Sequence, residues 1–273
     1  GRYIMFQMEQ VGRRISDARK KKNMTQMELA DRLNISFQAV SNWERGISMP
    51  DISKLPEISD LFGISIDEIL GQQSPLVNEL AKRGVDSFAE GTEIRTEELL
   101  EAAPILEPKQ LDMLVLNCKV EIRPNDLKEI APFLSNETCD KLFQRYAEEE
   151  NMDAAVPLLP FASRQVIDEA ALMLVQKGRI AKEFIVFASE EVRDQMAWIS
   201  FEQKGVEEIS VFLPFVSKSL LERVADKEYQ LHGLNGIIPL APFMGKEYLN
   251  ILAKKAVEKD GIQAVRPIAP FLD

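Results

Sequence analysis

Cysteine and histidine are scarce in this sequence. Its 273 residues include two cysteines, Cys118 and Cys139, and one histidine, His232. The cysteines have neither metal-ligand nor redox spacing, and a metal or catalytic role for His232 would need partners that are not spaced for it. We therefore predict no metal site, and a reduced cytoplasmic setting is the simplest interpretation.

Long hydrophobic runs are also missing, since no apolar stretch reaches the roughly 20 residues that a membrane span requires. No secretory signal is visible. We therefore expect no membrane partner. The sequence also lacks a Walker loop, a dinucleotide fingerprint and a defensible Ser-His-Asp ordering, so we predict neither an enzyme nor a cofactor.

Positive charge is in short supply overall, but not at the start of the chain. The formal net charge is −11. Residues 1–71 hold 10 basic and 10 acidic side chains, whereas residues 72–273 hold 23 and 34. Within residues 1–50, nine basic side chains stand against five acidic ones. The front would attract a phosphate backbone and the back would repel it, which suggests two modules with different partners.

Helix start and stop signals divide residues 8–71 into five short helices. The first is expected from about residue 9 to residue 22. Residues 1–7, GRYIMFQ, resemble the remains of an expression tag and are excluded from the fold prediction.

The second and third helices are marked by their caps. Thr25 and Glu28 form a capping box for the second helix. Ser36 is a good N-cap for a third helix over residues 37–45, and Gly46 suits the left-handed position that ends it.

The fourth and fifth helices are also bounded by polar and glycine residues. The fourth is predicted over residues 51–61, ending at Gly63. Ser65 and Glu68 form a second capping box for the fifth helix, which ends at Gly71.

Two helices joined by a short turn, with the small Ala30 where they cross, form a helix-turn-helix pattern. Residues 11–70 resemble the lambda-repressor-like, or Xre-type, helix-turn-helix domain. The residues that carry this resemblance are Arg19, Thr25, Gln26, Leu29, Ala30, Val40, Ser41, Trp43, Glu44, Arg45, Gly46, Pro50 and the run Phe62 to Leu70.

The resemblance implies that the start and outer face of the third helix enter the major groove of double-stranded DNA. The side chains expected to contact bases are Ser36, Phe37, Gln38 and Asn42. The amides of Gln38 and Asn42 can bond N6 and N7 of adenine at once. Phe37 departs from the polar residue often found there, and it could touch a thymine methyl or pack against its own domain.

The resemblance also assigns phosphate contacts, which set orientation and salt dependence rather than sequence preference. The main candidates are Gln26, Ser41, Arg45, Arg13 and Lys20, and the secondary candidates are Arg14, Lys21 and Lys22. The run Lys20–Lys22 could equally be a solvated helix end, where cations suit the helix dipole. Arg19 and Glu44 match a structural ion pair of the family, so we assign them to the fold.

Behind a predicted linker at residues 72–75, an apolar phrase recurs through residues 76–273. It reads AAPIL, IAPFL, LLPFA, FIVFA, FLPFV, LAPFM and IAPFL, at spacings of 28, 28, 26, 28, 28 and 28 residues. The aligned residues, near which each hairpin should end, are Ile105, Phe133, Phe161, Phe187, Phe215, Phe243 and Phe271. Such periods are typical of solenoids and arrays.

Each repeat is predicted to be a helical hairpin, in which a capped helix of about 14 residues is followed by a shorter helix that leads back to the phrase. The expected caps are Ser135, Ser163, Ser189, Ser217 and Gly245. The expected helix-ending turn residues are Asn151, Gly178, Gly205, Gly233 and Gly261. We expect the prolines and phenylalanines of the phrase to be turn and core elements.

The predicted fold class is all-α: a five-helix lambda-repressor-like domain followed by an α-solenoid of helical hairpins. One hairpin cannot bury its apolar face alone, so stacked neighbours would close the core. The architecture resembles that of tetratricopeptide and armadillo-like repeats, although the 28-residue period is shorter than theirs.

This layout resembles that of Xre–tetratricopeptide transcriptional regulators. The resemblance implies sequence-specific binding to an operator, with a homodimer reading two half-sites. It also implies that the repeat domain mediates dimerisation, the binding of a peptide or protein effector, or both. An alternative is an interaction scaffold in which the helix-turn-helix docks a protein rather than DNA.

Overall fold

The structure is a computed structural model that describes residues 2–88, 91–120 and 122–272. Within these residues the chain is helical apart from two short strands, which confirms the all-α prediction. The α-helices are α1 Arg2–Lys21, α2 Gln26–Leu33, α3 Phe37–Glu44, α4 Lys54–Phe62, α5 Ile66–Leu70, α6 Pro75–Arg83, α7 Thr96–Ala102, α8 Pro108–Asn117, α9 Pro124–Ile130, α10 Asn136–Glu148, α11 Met152–Ala155, α12 Arg164–Gln176, α13 Lys182–Ile185, α14 Glu190–Lys204, α15 Lys218–His232 and α16 Lys246–Asp260.

Shorter elements connect these helices. Strands β1 Glu93–Ile94 and β2 Lys119–Val120 pair in parallel, which the sequence did not predict. The 3-10 helices are Val85–Ser87, Ala103–Ile105, Ala131–Phe133, Val156–Leu158, Glu208–Val211, Gly233–Ile237, Ala241–Phe243 and Ile262–Phe271. No helix in the described part of the chain is long and apolar enough to cross a membrane.

The caps predicted for the front helices are confirmed. The Thr25 hydroxyl accepts the Glu28 N–H at 3.1 Å, and the Glu28 carboxylate accepts the Thr25 N–H at 2.7 Å. Ser65 and Glu68 repeat this capping box at the start of α5. Ser36 caps α3. These bonds connect residues three positions apart, so the sequence alone defines them.

Two helix starts differ from the prediction. The first helix begins at Arg2 instead of Glu9, and the expectation that residues 1–7 derive from a tag stays a prediction. The fourth begins at Lys54 instead of Asp51. The Asp51 carboxylate accepts the Ser53 N–H at 2.8 Å, and this bond holds a turn ahead of the helix.

The contact between α1 and α3 depends on one glycine. A Cβ atom at Gly12 would lie 2.0 Å from the carbonyl oxygen of Trp43. Trp43 is 5% exposed and belongs to the core between the front helices. Only glycine lets the two backbones approach this closely.

A buried ion pair ties the front helices together. Arg19 on α1 donates through Nε and Nη2 to the two carboxylate oxygens of Glu44 on α3, at 2.6 and 2.9 Å. Its Nη1 donates to the Met24 carbonyl ahead of α2 at 2.6 Å. The Ser16 hydroxyl and the Gln26 amide also donate to Glu44, at 3.0 and 2.8 Å. The Arg19 and Glu44 side chains are 10% and 7% exposed.

These donors set the protonation of Glu44. Burial, the largest influence, would raise the pKa of its carboxyl group. The hydrogen bonds from Arg19, Gln26 and Ser16, together with the charge of Arg19, outweigh burial and hold the pKa below its usual value. The carboxylate therefore stays ionised at neutral pH.

The segment predicted as a linker, residues 72–75, is packed against later residues. Ser74 is 2% exposed, and its hydroxyl donates to Glu101 at 2.7 Å. Nearby, the Ile52 N–H donates to the Ile105 carbonyl at 2.9 Å. Contacts divide the chain into compact units at residues 1–142 and 143–273, inside α10 rather than at 72–75. The first unit therefore contains both the front helices and the first repeats.

The long helices of the repeats begin and end as predicted, with one exception. The five helices from α10 onward that follow the predicted caps have 13 to 15 residues. The four predicted glycines have positive φ, from 63° to 88°. At the first turn, however, Glu150 takes the left-handed conformation with φ of 56°. Asn151 instead caps α11 by accepting the Ala154 N–H.

The return arms were predicted as short helices, and the structure shows short helical segments of differing type. The first combines Met152–Ala155 with the 3-10 helix Val156–Leu158, whereas Glu208–Val211 is a 3-10 helix alone. The last arm, Ile262–Phe271, is 3-10 along its whole length and contains two prolines. A proline lacks the N–H that a continuing α-helix needs, which favours these short tight turns.

The phenylalanines of the phrase were expected in the core, and for three of them this is wrong. Phe187, Phe215 and Phe243 are 37%, 39% and 42% exposed. The core position is the first letter of the phrase, which is fully buried in every repeat. These residues are Ala102, Ile130, Leu158, Phe184, Phe212, Leu240 and Ile268.

A recurring aspartate joins one repeat to the next within each compact unit. The backbone N–H of the cap serine donates to an aspartate on the preceding long helix. The observed pairs are Ser135 with Asp112 at 3.0 Å, Ser189 with Asp168 at 2.8 Å and Ser217 with Asp194 at 2.8 Å. These aspartates were not among the residues predicted to matter, although Asp112, Asp140, Asp168 and Asp194 recur with the spacings of the phrase.

We expect Asp194→Ala to lower the free energy of unfolding by about 2 kcal/mol, because the cap N–H of Ser217 loses a charged acceptor. Asp194→Asn keeps an acceptor oxygen and should lose less. Urea unfolding followed by circular dichroism measures both. The exposed neighbour variant Gln195→Ala is the control, and an equal effect of Asp194→Ala and Gln195→Ala would contradict this account.

We expect Glu44→Gln to lower the free energy of unfolding by about 3 kcal/mol at pH 7, because the buried Arg19 loses its counter-charge. The folded-state pKa of Glu44 is depressed, so this stabilisation is present above the ordinary glutamate pKa of about 4.3 and is lost as the pH falls through the folded value. Urea unfolding from pH 7 to pH 3 should show the two proteins converging in acid. The exposed Glu57→Gln is the control, and a difference that stays constant across this range would refute the assignment.

Candidate nucleic-acid interface

The third helix presents one polar face because its other face is used by the core. Val40 and Trp43 are 0% and 5% exposed, Leu29 and Leu33 of α2 are likewise buried, and α2 and α3 are in contact. A left-handed residue, Asn34 with φ of 51°, makes the turn between the two helices. The helical period then places residues 38, 42 and 45 on the outer side of α3.

The structure brings the predicted base-contacting residues onto this outer side. Ser36, Phe37 and Gln38 are exposed, and Asn42 is half-buried. The Ser36 hydroxyl accepts the Ala39 N–H at 3.1 Å, so it serves as a cap and keeps its own proton to donate. Phe37 is 44% exposed at the first turn of the helix. Part of its surface is therefore covered by its own domain, and the rest is accessible to a partner.

The polar side chains on this face contact one another. The Gln38 Nε2 donates to Asn42 Oδ1 at 2.9 Å, and Arg45 Nη2 donates to the same oxygen at 2.7 Å. Arg45 Nε also donates to the Ser41 carbonyl, at 3.3 Å. Four of the predicted contact residues, Gln38, Ser41, Asn42 and Arg45, therefore form one connected array.

The remaining predicted phosphate contacts fall into two groups. Arg13 and Lys20 are exposed, as are Lys21 and Lys22. Gln26, in contrast, donates to the buried Glu44 carboxylate, so one of its two N–H groups is committed to the fold. Ser41 is half-buried, and its carbonyl accepts from Arg45.

Arg14, a secondary phosphate candidate, is committed to another helix. Its Nη1 donates to the Leu70 carbonyl at 3.2 Å, at the carboxyl end of α5. A cation at this end also offsets the helix dipole. Sequence analysis assigned Arg14 to DNA because spacing along α1 does not show which neighbour its side chain meets.

The arrangement supplies hydrogen-bonding amides, an aromatic ring and surrounding cations. These groups suit the edges of bases and the phosphates beside them. Among the residues that the structure describes, no group of three or more His, Cys, Asp or Glu side chains is placed to hold a metal ion. The face therefore offers hydrogen-bond donors, hydrogen-bond acceptors and positive charge.

Comparison with known families and proteins also identifies a helix-turn-helix domain at the front of the chain. The model of the helix-turn-helix family matches residues 15–69. The chain is 40% identical over 62 residues to the HTH-type transcriptional regulator ImmR of Bacillus subtilis strain 168, which covers 23% of this chain and 49% of that protein. It is 32% identical over 72 residues to the immunity repressor protein of Bacillus phage phi105, which covers 26% of this chain and 50% of the repressor.

A third relative is matched over most of its length. The chain is 31% identical over 104 residues to the uncharacterized HTH-type transcriptional regulator YqaE of Bacillus subtilis strain 168, which covers 36% of this chain and 89% of YqaE. In contrast, the chain spans about half the length of ImmR and of the phage repressor. No solved structure matches the chain. Through its front residues, the chain belongs to the helix-turn-helix family of these transcriptional regulators.

Proposed function

We propose that this protein is a sequence-specific DNA-binding transcriptional regulator in which α3 lies in the major groove. The observation that carries this proposal is the connected array of Gln38, Asn42 and Arg45 on the exposed side of α3. The buried pair of Arg19 and Glu44 holds that side outward. Relatives named as transcriptional regulators and as an immunity repressor support the same function.

The energetics of the face suit this role. One amide bonded to both edge atoms of adenine contributes about 1–3 kcal/mol of discrimination. The exposed cations Arg13 and Lys20 would add sequence-independent attraction to phosphates, which falls as salt rises. One recognition helix reads few base pairs, so we propose a homodimer on two half-sites about one helical turn apart.

For the repeats we propose a stacked solenoid that mediates dimerisation. The first letter of the phrase is fully buried in every repeat, as stacking of equivalent hairpins requires. The exposed phenylalanines at residues 187, 215 and 243 recur at equivalent positions, so they would form a regular apolar edge. A second copy of the chain presents the same edge, which suits a two-fold interface. A peptide or protein effector is the other occupant that this edge would accept.

The DNA-binding proposal is tested by selecting sites from a random duplex library with the purified protein. We expect an enriched two-fold-symmetric site. Gln38→Ala should weaken binding to it by about 1–3 kcal/mol and relax the preference at one base pair in each half-site. Lys20→Ala should weaken binding to every duplex by the same factor. It should also reduce the slope of log K against log salt concentration by about one.

The exposed Gln203→Ala, on α14, is the control for this experiment and should leave binding unchanged. No enriched site, with weak binding that only falls with salt, would contradict the proposal. That outcome would favour a protein-docking role for the helix-turn-helix.

The dimerisation proposal is tested by replacing the three exposed phenylalanines with serine, as Phe187→Ser, Phe215→Ser and Phe243→Ser together. We expect self-association to weaken at least tenfold in sedimentation analysis. Each serine removes the apolar ring surface that the proposed interface would bury. The unfolding temperature of the monomer should change little. A control with Leu231→Ser, Ile251→Ser and Ile262→Ser removes apolar groups that are more exposed and lie at other register positions. Equal weakening by both triple variants would contradict the assignment of the interface to the phrase.

A further inference from the structure

The hydrogen bonds on the outer side of α3 have a fixed direction, and Arg45 sets it. We propose that Arg45 is a positioning residue that orients the amides of Asn42 and Gln38, so that Gln38 alone reads adenine with both amide atoms. Asn42 then presents a donor and does not read adenine. This inference rests on the proposed function, because it assigns specificity within the same face.

The direction follows from what each group can donate or accept. A guanidinium has donors only, so the Asn42 atom that faces Arg45 Nη2 at 2.7 Å must be the amide oxygen. The same oxygen lies 2.9 Å from the Gln38 amide. Gln38 must then contribute its nitrogen, because two carbonyl oxygens cannot share a hydrogen bond.

Without Arg45 the two amides would have no preferred direction. An isolated pair of amides can be joined from Gln38 to Asn42 or from Asn42 to Gln38 with similar energy. The guanidinium favours one of these by a charge-assisted hydrogen bond, which is stronger than a neutral one. The Ser41 carbonyl accepts from Arg45 Nε and holds the guanidinium close to the helix.

The fixed direction gives the two amides different tasks. The Asn42 oxygen has two lone pairs and already accepts from Gln38 and Arg45, so it cannot also accept the N6 amine of adenine. Its amide nitrogen remains a donor, which suits guanine O6 or N7 or thymine O4. Gln38 keeps its oxygen and one N–H, which are the two groups that adenine N6 and N7 require. The sequence had assigned adenine readout to both residues.

Arg45 can perform this task and still contact DNA. A guanidinium carries five N–H donors, and the two bonds to Ser41 and Asn42 leave three. Those three are available for the phosphate contact that was expected from the sequence. Arg45 would then link its contact with the DNA phosphate to the orientation of the Gln38 amide.

The test measures discrimination at the base pair that Gln38 reads. That pair is the one at which Gln38→Ala loses its preference for adenine on the selected duplex. Arg45→Met, which keeps a long side chain but no donor, should lose about tenfold in adenine preference at the same pair. In the background of Gln38→Ala, Arg45→Met should change that preference no further. Lys20→Ala, the matched loss of an exposed cation, should weaken binding without altering the preference.

Conservative replacement of Asn42 gives a second arm. Asn42→Asp keeps an acceptor for both Gln38 and Arg45, so adenine preference at the Gln38 pair should persist. Asn42→Leu removes the acceptor and should relax the preference as Arg45→Met does. If Arg45→Met weakens every duplex equally and leaves adenine preference intact, Arg45 is a phosphate contact only and the inference is overturned.

A measurement on the free protein separates this inference from the proposed function. The side-chain amide resonances of Gln38 and Asn42 in a ¹⁵N–¹H spectrum should shift in Arg45→Met and not in Lys20→Ala. If the protein binds no duplex but these resonances shift as expected, the DNA-binding function fails while the positioning by Arg45 stands. Resonances that do not respond to Arg45→Met would overturn the positioning role, whatever the protein binds.

Discussion

The ion pair between Arg19 and Glu44 is the constraint on which the proposed DNA-binding face of α3 depends. Three donor groups on α1, from Ser16 and Arg19, and one from Gln26 at the start of α2 converge on the Glu44 carboxylate, which has little access to water. Such a pair contributes little net stability, because burial of both charges is costly, but loss of one partner is severe. Its effect is to fix the rotation of α3 about its own axis. Gln38, Asn42 and Arg45 face outward because Glu44 is held inward.

The two parts of the chain use different means to specify their structure. In the front helices each contact depends on its own particular residues. Gly12, for example, lets the Trp43 carbonyl approach more closely than any side chain would allow. In the repeats the same solution recurs, with one fully buried residue at the start of each phrase and an aspartate that accepts from the next cap.

Local signals in the sequence were sufficient for the helices and their caps, since Thr25 with Glu28 and Ser65 with Glu68 act over three residues. Features that depend on distant neighbours were missed or misassigned. Arg14 bonds to a carbonyl 56 residues away, and Asp112 and Asp168 accept from serines 23 and 21 residues later. The phrase phenylalanines were placed in the core because they recur, but recurrence shows equivalence and not burial. The residue that starts the phrase varies between alanine and phenylalanine, so its burial was not apparent from identity alone.

The most direct test of the account is methylation interference on a duplex selected by the protein. Methylation of guanine N7 alters the floor of the major groove, whereas methylation of adenine N3 alters the minor groove. The account predicts interference at guanine N7 in two patches on one side of the duplex, separated by about one helical turn. Interference confined to adenine N3 would show that the protein contacts the minor groove and that α3 does not read the major groove.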